Sequence, residues 1–165
     1  RFSSSLKKML ARIPFAKDFH IFCDAGRRLG KLHLNYENIE PYPLIEEKKK
    51  ELKSTDYFVN RMIFGKKDGK PDKSIIIFNE FLIFKDIPLE VYDYVVNGKS
   101  AIEWIMDRYK VTVDKESGIK NDPNSWSDDP YYIVNLLKRI VRLSIESIEI
   151  IKNLPALQET TKQYN

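Results

Sequence analysis

The stretch Val96–Tyr109, VNGKSAIEWIMDRY, decides between two folds. Its Gly98-Lys99-Ser100 is how a phosphate-binding P-loop ends before a helix, and a P-loop would make the chain a nucleotide-binding α/β protein. Such a loop needs a second glycine five positions earlier, so that backbone N–H groups can wrap the phosphates. Asp93 stands there, a carboxylate. The loop must also follow a buried strand, whereas PLEVYDYVV (88–96) reads as helix: Pro88 suits a first turn, and Leu89, Tyr92 and Val96 share a stripe. No apolar run ending in an aspartate supplies a Walker B partner. The second reading fits better. Ser100 and Glu103 form an S-x-x-E capping box, and Ile102, Ile105, Met106 and Tyr109 follow at helical spacing as one buried face. Asn97-Gly98 is a turn dipeptide able to take positive φ. The predicted unit is helix, tight turn, capped helix. Lys99 and the helix N-terminal N–H groups then remain as a place for one phosphate of any kind.

Outward from this unit, the chain has 165 residues, enough for one domain with a real core. Its hydrophobic content of 42% and aromatic content of 12% are globular values. Lys+Arg of 28 against Asp+Glu of 24 gives a net charge of +4, a mild basicity compatible with nucleic acid. The single cysteine, Cys23, excludes an internal disulfide, fits the reducing cytoplasm and reads as a buried thiol in a helix. No apolar run approaches the ~20 residues of a membrane span. RFSSSLKKMLARIP (1–14) lacks a signal-peptide core; Leu6, Met9, Leu10 and Ile13 mark a helix under way, as in a piece of a longer polypeptide.

A second helix is predicted from Phe15 to about Leu34, with Gly26 and Gly30 placed for close approach of another backbone. The charge run in NYENIEPYPLIEEKKKELKSTD (35–56) reads as a solvated, partly helical face. YFVNRMIFG, SIIIFN and FLIFKDI read as three strands of an antiparallel meander, joined by a long hairpin loop, GKKDGKPDK (65–73), and a tight turn at Asn79-Glu80. VTVDKESGIKNDPNSWSDDP (111–130) is a long loop. A long C-terminal helix opens with Asp129 as N-cap and Pro130 at its first position; its core stripe is Ile133, Leu137, Ile140, Ser144, Ile148 and Ile151. The predicted class is α+β: a small three-stranded antiparallel meander packed on about five helices, one domain over residues 1–155, with 156–165 a disordered tail.

The chain shows no catalytic constellation. His20 and His33 are too far apart for a zinc pair, and NDPNSWSDD lacks the order of a calcium loop, so no metal site or other cofactor is predicted. Pro71-Asp72 has no following acidic-x-Lys of a nuclease. Asp129-Pro130-Tyr131 lacks the second proline of an adenine-N6 methyltransferase loop, and no acyl-transfer motif is present. What remains is a binding surface for a DNA backbone. Its candidates are Arg61, Lys66, Lys67, Lys70 and Lys73 around the first hairpin, Lys99, Ser100, Arg108 and Lys110 around the capped helix, and Lys115, Lys120 and Asn121 in the long loop. Lys138, Arg139 and Arg142 on the last helix complete the set, with Trp104 and Trp126 as stacking or interface residues.

HLNYENIEPYPL, VVNGKSAIEWIMDRYKV, DKESGIKNDPNSW and IESIEIIKNLP resemble, in order from about Ile13 to Pro155, segments of the C-terminal target-recognition region of Type ISP restriction-modification enzymes and related helicase/methyltransferase polypeptides. The resemblance implies a parent polypeptide that joins a nuclease, a helicase-type ATPase and an adenine methyltransferase to a terminal specificity region. This chain would be the last part of that region, non-catalytic, with double-stranded DNA and the upstream domains as partners. A docking module that couples methyltransferase and ATPase without touching DNA is the alternative. Members read different sequences, so the shared NGKSAIEW is expected to be scaffold or a common phosphate contact, and GKKDGKPDK a candidate for reading bases.

Overall fold

In the computed structural model, residues 18–156 are described. The helix expected before Pro14 and the tail from residue 157 lie outside them. The elements run α1 (Phe19–Leu34), β1 (Ile45–Lys48), β2 (Ile63–Lys67), β3 (Lys70–Ile77), β4 (Leu82–Lys85), β5 (Val95–Val96), β6 (Lys99–Ser100), α2 (Ala101–Arg108), β7 (Thr112–Val113), β8 (Lys120–Asn121) and α3 (Tyr132–Lys152). Short 3-10 turns lie at Ser54–Tyr57, Leu89–Asp93 and Pro123–Ser125. The class is α+β, as the residues predict, but the counts differ.

The main sheet has four antiparallel strands in the order β1-β4-β3-β2, not three. The extra strand comes from the charge run read as a solvated, partly helical face. β1 pairs with β4, Ile45 opposite Lys85 and Lys48 opposite Leu82, and its Glu46 carboxylate pairs with Lys138 of α3. A charged strand forms here because it pairs with β4 along its whole length, and its Glu46 also meets a cation of α3. The β3–β4 turn forms as predicted: Asn79 Oδ1 accepts the N–H groups of Phe81 (2.8 Å) and Leu82 (2.9 Å), while its amide nitrogen donates to the carbonyls of Asp56 and Phe58. Ile76, Phe78, Leu82 and Phe84 of this sheet region, Ile87 and Val91 after it, Ile102 of α2 and Leu136, Leu137 and Val141 of α3 belong to one buried core.

The 88–96 segment departs from its predicted helix. It makes only the 3-10 turn at Leu89–Asp93; then β-branched Val95 and Val96 pair with Ser100 and Lys99. Asn97 (φ 50) and Gly98 (φ 84) turn this hairpin, the two positive angles that a tight two-residue connection requires. Among the described residues three α-helices therefore stand where four of the about five expected helices fall, the one before Pro14 lying outside them. Among the described residues, a Cβ added at Gly26 or Gly30 would meet nothing within 4 Å, so none of them makes a close backbone approach to either glycine. Cys23 is half-buried rather than buried.

α3 begins at Tyr132, with Tyr131 rather than Asp129 at the N-cap position and no side-chain cap; Asp129 and Pro130 belong to the preceding turn, where the Asp129 carboxylate accepts the Tyr131 N–H at 2.9 Å. Its buried stripe follows the prediction as far as Ile148, then drifts: Ile150 is buried and Ile151 is 48% exposed. The long loop is more ordered than its lack of periodicity suggests. β7 and β8 close a small hairpin in which Asp114 accepts the N–H groups of Glu116 and Ser117. Asp122 caps the following turn through Asn124 N–H (3.1 Å). Asn124 then docks the loop on the core edge: its side-chain amide donates to Val59 O and accepts from Val59 N–H, both at 2.8 Å.

Candidate functional site

The predicted long loop GKKDGKPDK is a rigid two-stranded hairpin. β2 and β3 run through it, Lys66 opposite Pro71 and Lys67 opposite Lys70, and only Asp68 (φ 52) and Gly69 (φ 76) form the turn. β3 pairs with β4 only through Ile76 and Ile77, so residues 65–72 extend beyond the sheet as an arm. The register jumps between Phe64, opposite Ile76, and Gly65, opposite Asp72. Lys73, Ser74 and Ile75 form the resulting bulge, which is pinned from several sides. Asp72 Oδ1 accepts from the Ser74 N–H (2.9 Å) and hydroxyl (2.6 Å), and those bonds hold its carboxyl below the usual carboxylate range. Ile87 N–H donates to Ser74 O at 3.0 Å, and the Tyr92 hydroxyl donates to Lys73 O at 2.7 Å. Gly65 fits beneath the bulge because it has no side chain: a Cβ there would lie 2.8 Å from the Ile75 Cβ.

Beside the arm, an open groove of roughly 470 Å³ runs between β2 and α2. Arg61, Lys66, Lys99 and Lys110 line it, together with the carboxylates of Glu103 and Asp107. Arg61, Lys66, Lys67 and Lys70 make no ion pair among the described residues. The other cations beside the groove are partnered. Lys99 pairs with Asp107 and lies 5.3 Å from the centre of the Trp104 ring. Lys110 reaches Asp107 at 3.7 Å. Lys73 bonds Glu103 at 3.0 Å, with the Tyr92 and Phe64 rings beneath it.

The capping box forms as predicted. Glu103 N–H donates to Ser100 Oγ (3.3 Å), and Ser100 N–H to Glu103 Oε2 (3.0 Å). It also changes the reading of the helix end. The Glu103 carboxylate, kept below its usual range first by the Ser100 hydroxyl and also by Lys73, already occupies the N-terminus where a phosphate was envisaged. Asp107 is likewise held low, chiefly by its bond from Lys99. Glu103 and Asp107 are the groove residues that sequence reasoning missed. The available signal was their i, i+4 spacing, which puts both on the face of α2 that carries the cap.

The remaining candidates are separate from this groove. Lys138, Arg139 and Arg142 hold the Ile39–Glu46 segment against α3. Lys138 pairs with Glu46, Arg139 Nε donates to Ile39 O at 3.0 Å, and Arg142 donates to the carbonyls of Glu40 and Pro41. Burial works to raise the Glu46 pKa, and the bonds and charges of Lys138 and Lys48 outweigh it, so the group stays ionised below its ordinary range. Lys120 pairs with Asp122 at 2.7 Å, and Asn121 lies in β8. Trp104 is 42% exposed and donates its indole N–H to Val96 O at 2.7 Å, clasping the β5–β6 hairpin. Trp126 is 41% exposed, packs edge-on to Tyr109 (5.4 Å) and carries the Arg108 guanidinium over its ring at 4.7 Å. His33 bridges Leu29 O (2.7 Å) and the Tyr94 hydroxyl (2.6 Å), a structural place.

Two solved structures share this fold at substantial identity. A nuclease-deletion mutant of the Type ISP restriction-modification enzyme LlaGI, in complex with a DNA substrate mimic, is 43% identical with a TM-score of 0.82, over 96% of this chain and 12% of that one. The ATP-dependent Type ISP restriction-modification enzyme LlaBIII, bound to DNA, is 39% identical with a TM-score of 0.79, over 90% of this chain and 9% of that one. The DrdV–DNA complex, 24% identical with a TM-score of 0.73 over 94% of this chain and 16% of that one, shares the fold. No curated protein matches the sequence. The chain thus corresponds to about a tenth of the length of the two Type ISP enzymes. The model of the Type ISP C-terminal specificity domain matches residues 1–136, and with it the shared fold and the ordered run of common motifs have one explanation: the chain belongs to the Type ISP C-terminal specificity domain family.

Proposed function

We propose that this chain is a non-catalytic DNA target-recognition domain, the terminal part of a large cytoplasmic restriction-modification polypeptide. Nuclease, helicase-type ATPase and adenine methyltransferase parts would lie upstream of it. One observation carries the reading: Arg61, Lys66, Lys67 and Lys70, none of which makes an ion pair among the described residues, lie together on one arm and the groove beside it, whereas Lys138, Arg139 and Arg142 of α3 are engaged within the fold. Uncompensated positive charge repels itself, and a phosphate backbone removes that cost. The relatives LlaGI and LlaBIII, whose structures hold DNA or its mimic, support the same partner. Phosphate contacts by Arg61 and Lys66, with Lys99 and Lys110 beside them, would position the duplex; contacts to base edges would specify it.

The test is salt dependence in the full-length polypeptide. Each neutralised phosphate releases counterions, so replacing Arg61 and Lys66 together by Ala should flatten the slope of log affinity against log salt by roughly 1.8. Lys138→Ala should lower stability and leave that slope alone. An unchanged slope in the Arg61/Lys66 variant would remove the groove from the interface. Docking against the upstream domains is a second reading, favoured by exposed Trp126 and Tyr131 with Arg108 above the indole, a composition common in protein interface hot spots. Trp126→Ala would then weaken association between the separately produced upstream part and this chain, with DNA affinity unaffected.

A further inference from the structure

We infer that the β2–β3 arm is a groove-entering β-ribbon, and that Lys67 and Lys70 on one of its faces read base edges while Lys66 on the other stays at the backbone; the inference rests on the DNA-recognition reading above. The first observation is the split of faces. In an antiparallel ladder, directly opposed residues point to the same side. Lys67 and Lys70 are opposed, so both project from one face; Lys66 and Pro71 are opposed and line the groove on the other. The arm thus separates its lysines into a groove-side charge beside Arg61 and a pair at the tip.

The tip pair is the second observation. Like charges directly opposite one another destabilise a hairpin. A protein that needed only a hairpin here would place one charge of each sign. Lysines also protect open sheet edges from pairing with other chains, and β2 is an edge strand. That role covers Lys70 as well as Lys66 and Lys67, because the arm beyond the β3–β4 pairing is open on both edges; what it leaves unexplained is the placing of Lys67 and Lys70 directly opposite one another.

Size and stiffness are the third. Three residue pairs beyond the bulge, at about 3.3 Å per residue, give an arm roughly 10 Å long with strands about 5 Å apart. A major groove about 12 Å wide and 8.5 Å deep admits such a two-stranded ribbon. The arm is aimed rather than flexible: Gly65 packs under Ile75, and Asp72, Tyr92 and Ile87 fix the bulge at its root. Lysine ammonium groups carried there are donors suited to the O6 and N7 acceptors of guanine.

The experiment uses the full-length polypeptide that carries this chain, with Lys67 and Lys70 both replaced by Ala, and selection of bound duplexes from a randomised library at fixed salt. Thermal unfolding of the variant controls for folding. The expected result is a relaxed preference at one or two neighbouring guanine positions. Affinity for the parent's selected site should fall roughly ten- to a hundredfold, and more than affinity for random duplex. An unchanged selected site, with affinity lost evenly over all sequences and a salt slope lower by roughly 0.9 per lysine, makes the arm a backbone contact and overturns base reading. An unchanged site at unchanged affinity removes the arm from DNA altogether. A parent polypeptide that selects no sequence sinks the recognition reading itself, and this inference with it.

Discussion

Asn124 and Glu103 show how single side chains organise whole segments of the chain. Asn124 pairs with both backbone groups of Val59, as a neighbouring strand would, and thereby joins NDPNSW to the segment entering β2. Asn124→Ala deletes both bonds and leaves those groups unpaired at a part-buried site, so it is expected to cost roughly 2–4 kcal/mol. Urea unfolding measures this, and a loss under about 0.5 kcal/mol would mean that water replaces the amide. Glu103 serves three partners: the Ser100 hydroxyl, the Ser100 N–H and Lys73. Its folded pKa is depressed, as are those of Asp72 and Asp107. A depressed carboxylate contributes stability above its unfolded value, near 4.5 for Glu103, and loses it as pH falls through the folded value. Stability should therefore be level from neutral pH to about 5 and fall below about 4.5. Glu103→Gln should make the acid limb shallower in unfolding curves recorded over a pH series; an identical limb would show that the group does not titrate with folding.

Among the elements, the arm depends most on one residue without a side chain. Gly65 is not among the positive-φ glycines, so its role is space rather than backbone conformation: an added methyl would sit 2.8 Å from the Ile75 Cβ. Both atoms are close to the backbone, so neither can swing away. Gly65→Ala is expected to cost about 1–3 kcal/mol, as overpacking does, and to reorient the arm at its root. The stability loss is read by thermal or urea unfolding, and the reorientation by changed amide shifts at Lys66–Asp72 while those of α3 stay put. Full stability with an unmoved arm would contradict the packing at the bulge. The β5–β6 hairpin illustrates the opposite case. There Asn97 and Gly98 supply the required positive angles, and the turn is legible in the dipeptide itself.

In the whole molecule, charge is partitioned. α3 uses its cations inward, to fasten the Ile39–Glu46 connector and strand β1 to the helix. Arg61 and the arm lysines Lys66, Lys67 and Lys70 make no ion pair among the described residues, while Lys73, Lys99 and Lys110 beside them are held by Glu103 and Asp107. A net charge of +4 is therefore a poor guide to the field that a partner meets, because the chain spends many lysines and arginines on its own acids and carbonyls. This division also accounts for two of the segments that carry the resemblance. HLNYENIEPYPL supplies the carbonyls that Arg139 and Arg142 grip, and NGKSAIEW supplies the turn, the cap and the Trp104 clasp.

By itself the sequence determined the α+β class, the capped α2, the turns at Asn97-Gly98 and Asn79-Glu80, the long C-terminal helix and the exclusion of a P-loop. Each depends on residues close together in the chain, where spacing and cap chemistry leave one good solution. It also carried the family in its ordered motifs. Only the tertiary structure decided the rest. β1 is a strand because it pairs with β4, and Lys138, far along the chain, also meets its Glu46. The 88–96 segment stops after one short turn because Val95 and Val96 find partners across a hairpin. The GKKDGKPDK loop is a stiff arm because Ile75 packs over Gly65. The α3 cations point to structure rather than to a partner because backbone carbonyls from residues 39–41 reach them first. Except in the β5–β6 hairpin, whose partners lie within five residues of one another, the deciding contact is distant in sequence, so no local pattern could contain it.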